Sequence, residues 1–258
     1  MTDIADRPEI APELRLVPHA FRRTFGRPAE GVWYAPGVLN LLGGAVRVPA
    51  KWGAIVAGDR RDDGRLELVS VNRPAERAVL PSDELPPWAA PVAGSSGGAT
   101  LMCSVDLPRG SGLSAGEALR TAVALALRDL AGERFDEPPA VDLDLPGRRL
   151  LVVDTRIRRA EPQRERPFTP GTGDLGEELT AYHHAQDPDP EQDAVVRAAL
   201  AAGAHGASTL VDPPGRPAVA LVDADLVPAV KKAITRAVEV PPRYLTIVPR
   251  PLGGFGVA

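Results

Sequence analysis

The sequence predicts an α+β chain in two parts, and three observations carry that reading. Short apolar runs at residues 32–35, 39–42, 54–57, 66–71 and 100–105 read as strands of the first part, separated by turns such as Asp62, Asp63 and Gly64. Residues 103–130 read as the end of a strand, a glycine-rich loop and a helix. Beyond residue 173 the pattern is two helices, then strand, helix and strand, which suits a small second α+β unit.

The elements follow in order. Residues 14–25 predict a short helix with Val17, Phe21 and Phe25 on one side. Residues 81–98, rich in Pro, Ser and Gly, predict a loop. A helix is expected over 115–130, with Leu119, Val123, Leu127 and Leu130 on its apolar face and Gly132 as its stop. Strands are expected at 141–145 and 150–154. Seven arginines and glutamates lie between Arg156 and Arg166, so 156–173 reads as a linker between a first domain, 1–155, and a second, 174–258. In the second, helices at 175–184 and 193–202 precede a strand at 218–222, a helix at 224–238 and a strand at 244–248. The late glycines Gly253, Gly254 and Gly256 read as a frayed tail.

Composition excludes several classes. A chain of 258 residues that is 44% hydrophobic can bury a sizeable core. A net charge of −4 gives no broad basic field, so no nucleic-acid partner is expected. There is no apolar run of membrane-spanning length and no secretory pattern, so neither a membrane partner nor export is expected and the cytoplasm is the expected compartment. The single cysteine, Cys103, rules out an internal disulfide, and its place on a buried strand argues against a catalytic thiol. His19, His183, His184 and His205 lack metal-ligand spacing, so no metal site is predicted. His183 and His184 are read as solvated or capping.

The glycine-rich loop is the most informative stretch. Backbone N–H groups in such a loop, followed by a helix N-terminus, form a ready anion site. Here Ser114 and Glu117 stand at N-cap and N3, the spacing of a capping box, which uses the free donors internally. Glu117 sets a carboxylate where a phosphate would come, and Gly116 has no oxygen for a metal.

Asp106, Pro108, Gly110, Gly112, Leu113, Ser114, Ala118 and Leu119 nevertheless match the phosphate loop of the GHMP kinases, and the loop is most similar to that of galactokinase. The run from Ala35 to Gly43 resembles the galactokinase opening signature. The strand with Asp154 and Thr155, and the flanks Gly206, Ala207 and 218–222, resemble later family segments. The resemblance implies two-part architecture with mixed sheets covered by helices. It also implies ATP-dependent phosphorylation of a sugar at the anomeric hydroxyl, with Mg.

The chemical positions depart from the family. Val38 replaces an arginine near the transferred phosphate, and Asn40 remains beside it. Gly44, Ala45, Val46 and Arg47 replace the polar run that grips the sugar hydroxyls, and each hydroxyl left unpaired costs about 1–3 kcal/mol. Val211, Asp212 and Pro213 replace three glycines, ahead of Pro214 and Gly215. Asp136, Asp142 and Asp144 lie in the short interval 130–150, none in the context of the family's catalytic base, so no catalytic residue is assigned. The expectation is a galactokinase-like protein with lost or strongly reduced kinase activity and a binding or regulatory role, its partner unidentified. No cofactor is expected unless the family activity survives. The alternatives are an active small-molecule (sugar) kinase of altered specificity using ATP and Mg, and a pocket for an unrelated ligand lined by Val38, Val46, Val48 and Trp52. Arg47 is read as a surface ion-pair residue.

Overall fold

Alternating burial sorts the strands into two sheets. In a computed structural model, residues 4–6, 11–82, 84–108, 111–133, 143, 145–157, 165–171, 173–211, 217–249 and 254–257 are described. The first sheet contains β1 (Gly31–Leu41), β2 (Val46–Arg60), β3 (Leu66–Ser70), β4 (Arg73–Leu80), β5 (Ala99–Val105) and β10 (Phe255–Val257), in the order β10-β1-β2-β5-β3-β4. It is mixed, because β3 runs parallel to β5 while the other pairs are antiparallel. The second sheet, β7-β8-β6-β9, holds β6 (Arg148–Asp154), β7 (Gly206–Thr209), β8 (Ala218–Asp223) and β9 (Arg243–Ile247) and is antiparallel throughout.

Helices cover both faces of the first sheet. α1 (Pro12–Phe25) opens with proline in its first turn and stops at Gly26, whose φ of 72° lets its N–H reach the Arg22 carbonyl. It buries Leu14, Val17 and Phe21 against Val32, Tyr34, Ala57 and Met102. α2 (Ala115–Leu130) covers the opposite face. Its buried stripe is Ala118, Leu119, Ala122, Val123, Leu125 and Ala126, with Leu127 and Leu130 only at the margin. The alanines set the apolar face one step round from the leucine pattern and pack it on Trp33, Ala35, Val56 and Leu101. The Trp33 indole N–H donates to Asp129 Oδ2 at 2.8 Å near the end of this helix. Cys103 on β5 is buried, which pushes its thiol pKa up to about 12.

The second sheet shows period-two sorting most plainly. Leu150 and Val152 of β6 face the core shared with β1, β2 and α3 (Leu175–Ala185). Leu151 and Val153 face α4 (Pro190–Ala201) and α5 (Val227–Ala237). β8 and β9 both pair with β6, and α5 connects them across it, a split β-α-β unit. Asp189 caps α4 in a complete capping box with Gln192. His183 is fully buried rather than solvated, with Nε2 3.5 Å from Asp193 Oδ1, and burial lowers its pKa. No helix among the described residues is long and apolar enough to cross a membrane.

Three further features bear on the reading of the sequence. β6 pairs in the second sheet, although the division at residue 155 put it with the first domain. The Phe255 segment is not a frayed tail but pairs with β1 through Val32↔Val257 and Tyr34↔Phe255. Gly256 passes under the Trp33 ring, where a Cβ would collide. In the expected linker, Arg166 donates its N–H to Gln186 Oε1 at 2.8 Å, and its carbonyl accepts from Gln186 Nε2 at 3.1 Å. Phe168 packs edge-on against Tyr182 at 5.3 Å, so this part is docked on α3. Most of the strand expected at 141–145 lies outside the described residues.

Candidate functional site

Segments that are distant in sequence meet at the far end of β1, where it still pairs with β2 through Leu41↔Val46. A register shift between Pro36 and Val38 places the proline where it need not donate to the ladder. Beyond it, Leu39 forms a bridge with Leu113 of the glycine loop, and the Val38 carbonyl accepts the Ser114 N–H at 3.2 Å. The loop is tied to itself as well: the Ser111 N–H donates to the Pro108 carbonyl at 3.3 Å, and the Leu113 N–H to Ser111 Oγ at 3.4 Å. The amides of Ser111, Leu113 and Ser114, which would cradle an anion in a phosphate loop, are already bonded within the protein.

Side chains close the same place. Gly112 has φ of 72°, and a Cβ there would stand 2.8 Å from Leu210 Cδ1 and 3.3 Å from both Leu39 Cδ1 and Pro217 Cγ. Ser111 and Leu113 are buried, while Pro108 is exposed. Gly116 faces Pro91, whose Cγ would lie 3.0 Å from an added Cβ. A hydroxyl-bearing residue at 116 therefore requires the turn Ala90–Val92 to yield by a few tenths of an ångström.

The capping box expected at Ser114 and Glu117 does not form, because the Ser114 side chain makes no cap bond. Glu117 instead forms an ion pair with Arg47 near the start of β2. The Ser114 N–H, which a capping box would offer to Glu117, is already taken by the Val38 carbonyl, so the carboxylate is left to Arg47. Arg47 thereby takes the ion-pair role read for it. The pair links the run that replaces the sugar-gripping residues to the helix that follows the glycine loop.

A narrow cleft of about 80 Å³ lies beside this pair, lined by Asn40, Gly43, Gly44, Glu165, Tyr182, Leu210 and Val211. Small-molecule sites run to roughly 300–1,000 Å³, so this cleft has room for little beyond water. Leu42, Gly43 and Gly44 follow one another in left-handed conformation, with φ of 53°, 70° and 88°. Leu42 bears that strain while its side chain is buried in the shared core. Glu165 reaches in from the expected linker, accepts the Tyr182 hydroxyl at 2.6 Å and lies so close to Gly43 that a Cβ there would strike its carboxylate.

Of the residues singled out from sequence, Val38, Asn40, Gly44, Arg47, Gly112, Leu113, Ser114, Glu117 and Val211 come together here, and Ala45 stands exposed at the turn. Gly110, Asp212, Pro213, Gly215, Asp136, Asp142 and Asp144 lie outside the described residues. Of the pocket read from Val38, Val46, Val48 and Trp52, Val48 is fully buried in the shared core, Val46 and Trp52 pack against that core, and Trp52 also lines a separate cleft. Glu165, Tyr182 and Leu210 carried no signal in the sequence that set them apart.

No model of a protein family matches the chain. Galactokinase of Streptomyces coelicolor is 36% identical over 135 residues, a match covering 43% of this chain and 34% of that protein. The match thus spans about a third of the length of the curated relative. Among solved structures, galactokinase of Lactococcus lactis complexed with galactose superposes with a TM-score of 0.74 at 17% identity, over 93% of this chain and 99% of that one. Mevalonate kinase of Methanococcus jannaschii gives 0.57 at 9% identity, over 86% and 98% of the two chains. Homoserine kinase of Cytophaga hutchinsonii gives 0.56 at 15%, over 88% and 96%. The fold is that of the GHMP kinases. The chain is similar to galactokinase in sequence over part of its length and in fold over nearly all of it.

Proposed function

We propose that this galactokinase-like protein does not transfer phosphate and instead acts as a binding or regulatory partner. The observation that carries this reading is the Arg47–Glu117 ion pair. It joins the run that stands at the family's sugar-gripping positions to the helix after the glycine loop, and so occupies both charged groups with each other.

The family's ATP and Mg do not suit the described residues. Loop amides that would hold phosphate are bonded internally, Gly112 is covered by Leu210 and Pro217, and Glu117 brings negative charge to the helix start. Glu165 narrows the cleft in which sugar hydroxyls would need partners. Phosphoryl transfer rests on positioning and charge stabilisation, and losing several of its parts together costs orders of magnitude in rate.

The test has two readouts. A ligand at a hundred times its dissociation constant adds about 2.7 kcal/mol of stability, so millimolar Mg-ATP is expected to leave the melting temperature unchanged. A coupled assay with galactose and other sugars at high protein concentration is expected to match the buffer control. Saturable ATP binding in the micromolar range, or steady turnover abolished by substitution at Asp136, Asp142 or Asp144, would show a working kinase with a relocated base.

A further inference from the structure

A larger cleft lies on the other side of the first sheet, beneath the first turn of α1. Its volume is about 540 Å³, within the range of small-molecule sites. Three aromatic side chains line it: Tyr34, Trp52 and Phe255. The single Tyr34 O–H proton lies within reach of the Lys51 carbonyl at 3.1 Å and the Ala50 carbonyl at 3.3 Å, which holds the ring in place. Phe255 lies tilted against that ring with centroids 5.3 Å apart. Phe255 is there because β10 pairs with β1, so this wall exists only once that strand is in place.

Three charged groups complete the lining. Lys51 holds its ammonium 4.8 Å from the centroid of the Trp52 ring. Glu13, in the first turn of α1, and Asp106, just after β5, are exposed, and among the described residues neither side chain makes a hydrogen bond or ion pair. Two unpaired carboxylates thus stand against one ammonium, and the cleft carries an excess of one negative charge.

We propose that this cleft binds a small organic cation of the quaternary ammonium class. Aromatic faces attract cations electrostatically, and Lys51 already uses the face of Trp52 in this way. A quaternary ammonium offers no N–H, so its recognition rests on ring faces and nearby carboxylates, which are the groups present. An anionic ligand would meet two carboxylates, and a neutral one would lack the attraction of a full positive charge to them and to the ring faces. Lys51 opposes the ligand, because it repels the incoming charge and competes for the same ring. The site is separate from the glycine-loop cleft, and the proposal does not depend on whether that cleft supports catalysis.

Choline chloride is the probe, titrated at low ionic strength and followed by calorimetry and tryptophan fluorescence. Saturable one-to-one binding in the millimolar range or tighter is expected. The uncharged carbon isostere 3,3-dimethylbutan-1-ol is expected to bind about tenfold more weakly or not at all. Glu13→Gln combined with Asp106→Asn is expected to weaken choline binding by a similar factor, and Lys51→Met to tighten it several-fold. These substitutions fall on exposed side chains, so circular dichroism and melting temperature should stay at wild-type values while affinity moves; Trp52→Ala supplies the corresponding loss from the aromatic wall. The proposal is overturned if choline does not saturate by about 100 mM, if the isostere binds as well as choline, or if the carboxylate variants bind choline unchanged.

Discussion

β1 passes through two environments, and its two ends contrast. From Val32 to Ala35 it lies between α1 and α2, and its side chains alternate between their two cores. There the requirement is volume and alternation, which many apolar sets satisfy. From Leu39 to Leu41 the same strand meets the glycine loop and the second sheet. In a phosphate site this end would leave backbone donors free for a ligand. Here Val38, Leu39 and the loop bond to one another, and apolar side chains fill the space. One end of β1 thus holds the framework by packing between two helices, while at the other end Ser111 and Leu113 of the glycine-rich loop are buried with the strand.

Substitutions can break or sharpen this contrast. Leu39→Ala should act most strongly, because Leu39 is fully buried where strand, loop and second sheet meet. A loss of about 2–5 kcal/mol is expected in urea unfolding; a loss as small as that of an exposed leucine would mean the loop is not packed in solution. Gly112→Ala comes next. Its left-handed φ and the approach of Leu210 predict a loss of about 1–3 kcal/mol. If the loop were open like a ligand cradle, only the backbone part of that loss would remain, and truncating Leu210 as well would recover nothing. Arg47→Ala should act least. Arg47 and Glu117 side chains are 46% and 29% exposed, so solvent screens the pair and the loss should stay under about 1 kcal/mol. A double-mutant cycle with Glu117→Ala measures the coupling directly.

Much of the framework is legible in the sequence because local rules fix it. α2 runs over the span its alanines, leucines and Gly132 announce, and β5 is a continuous apolar run. β4 escapes such reading: it is an edge strand with exposed Arg73, Pro74 and Arg77, and charge and proline are how edges avoid aggregation. β10 escapes it because three residues that follow Gly254 and have Gly256 in their middle acquire strand character only from pairing with β1. At the candidate site the departures from the kinase pattern are visible as residue types, but their consequences are not. Arg47 and Glu117 lie 70 residues apart, and nothing in either local pattern marks the other as its partner. Glu165 sits in a charged, proline-bearing stretch that reads as solvated until Tyr182 and Gly43 are brought against it.

The pairing of Val32 with Val257 also fixes an order of events during synthesis. β1 is made more than 200 residues before β10, and its inner edge can join β2 through the short connection after Leu41. Its outer edge stays a row of unpaired backbone donors and acceptors until residues 255–257 have left the ribosome. Over that whole interval the nascent chain exposes a strand edge of the kind that templates association with other chains. The last described strand thus serves as a seal, and a ribosome that stalls within the second sheet would release a chain whose first sheet is folded but still adhesive.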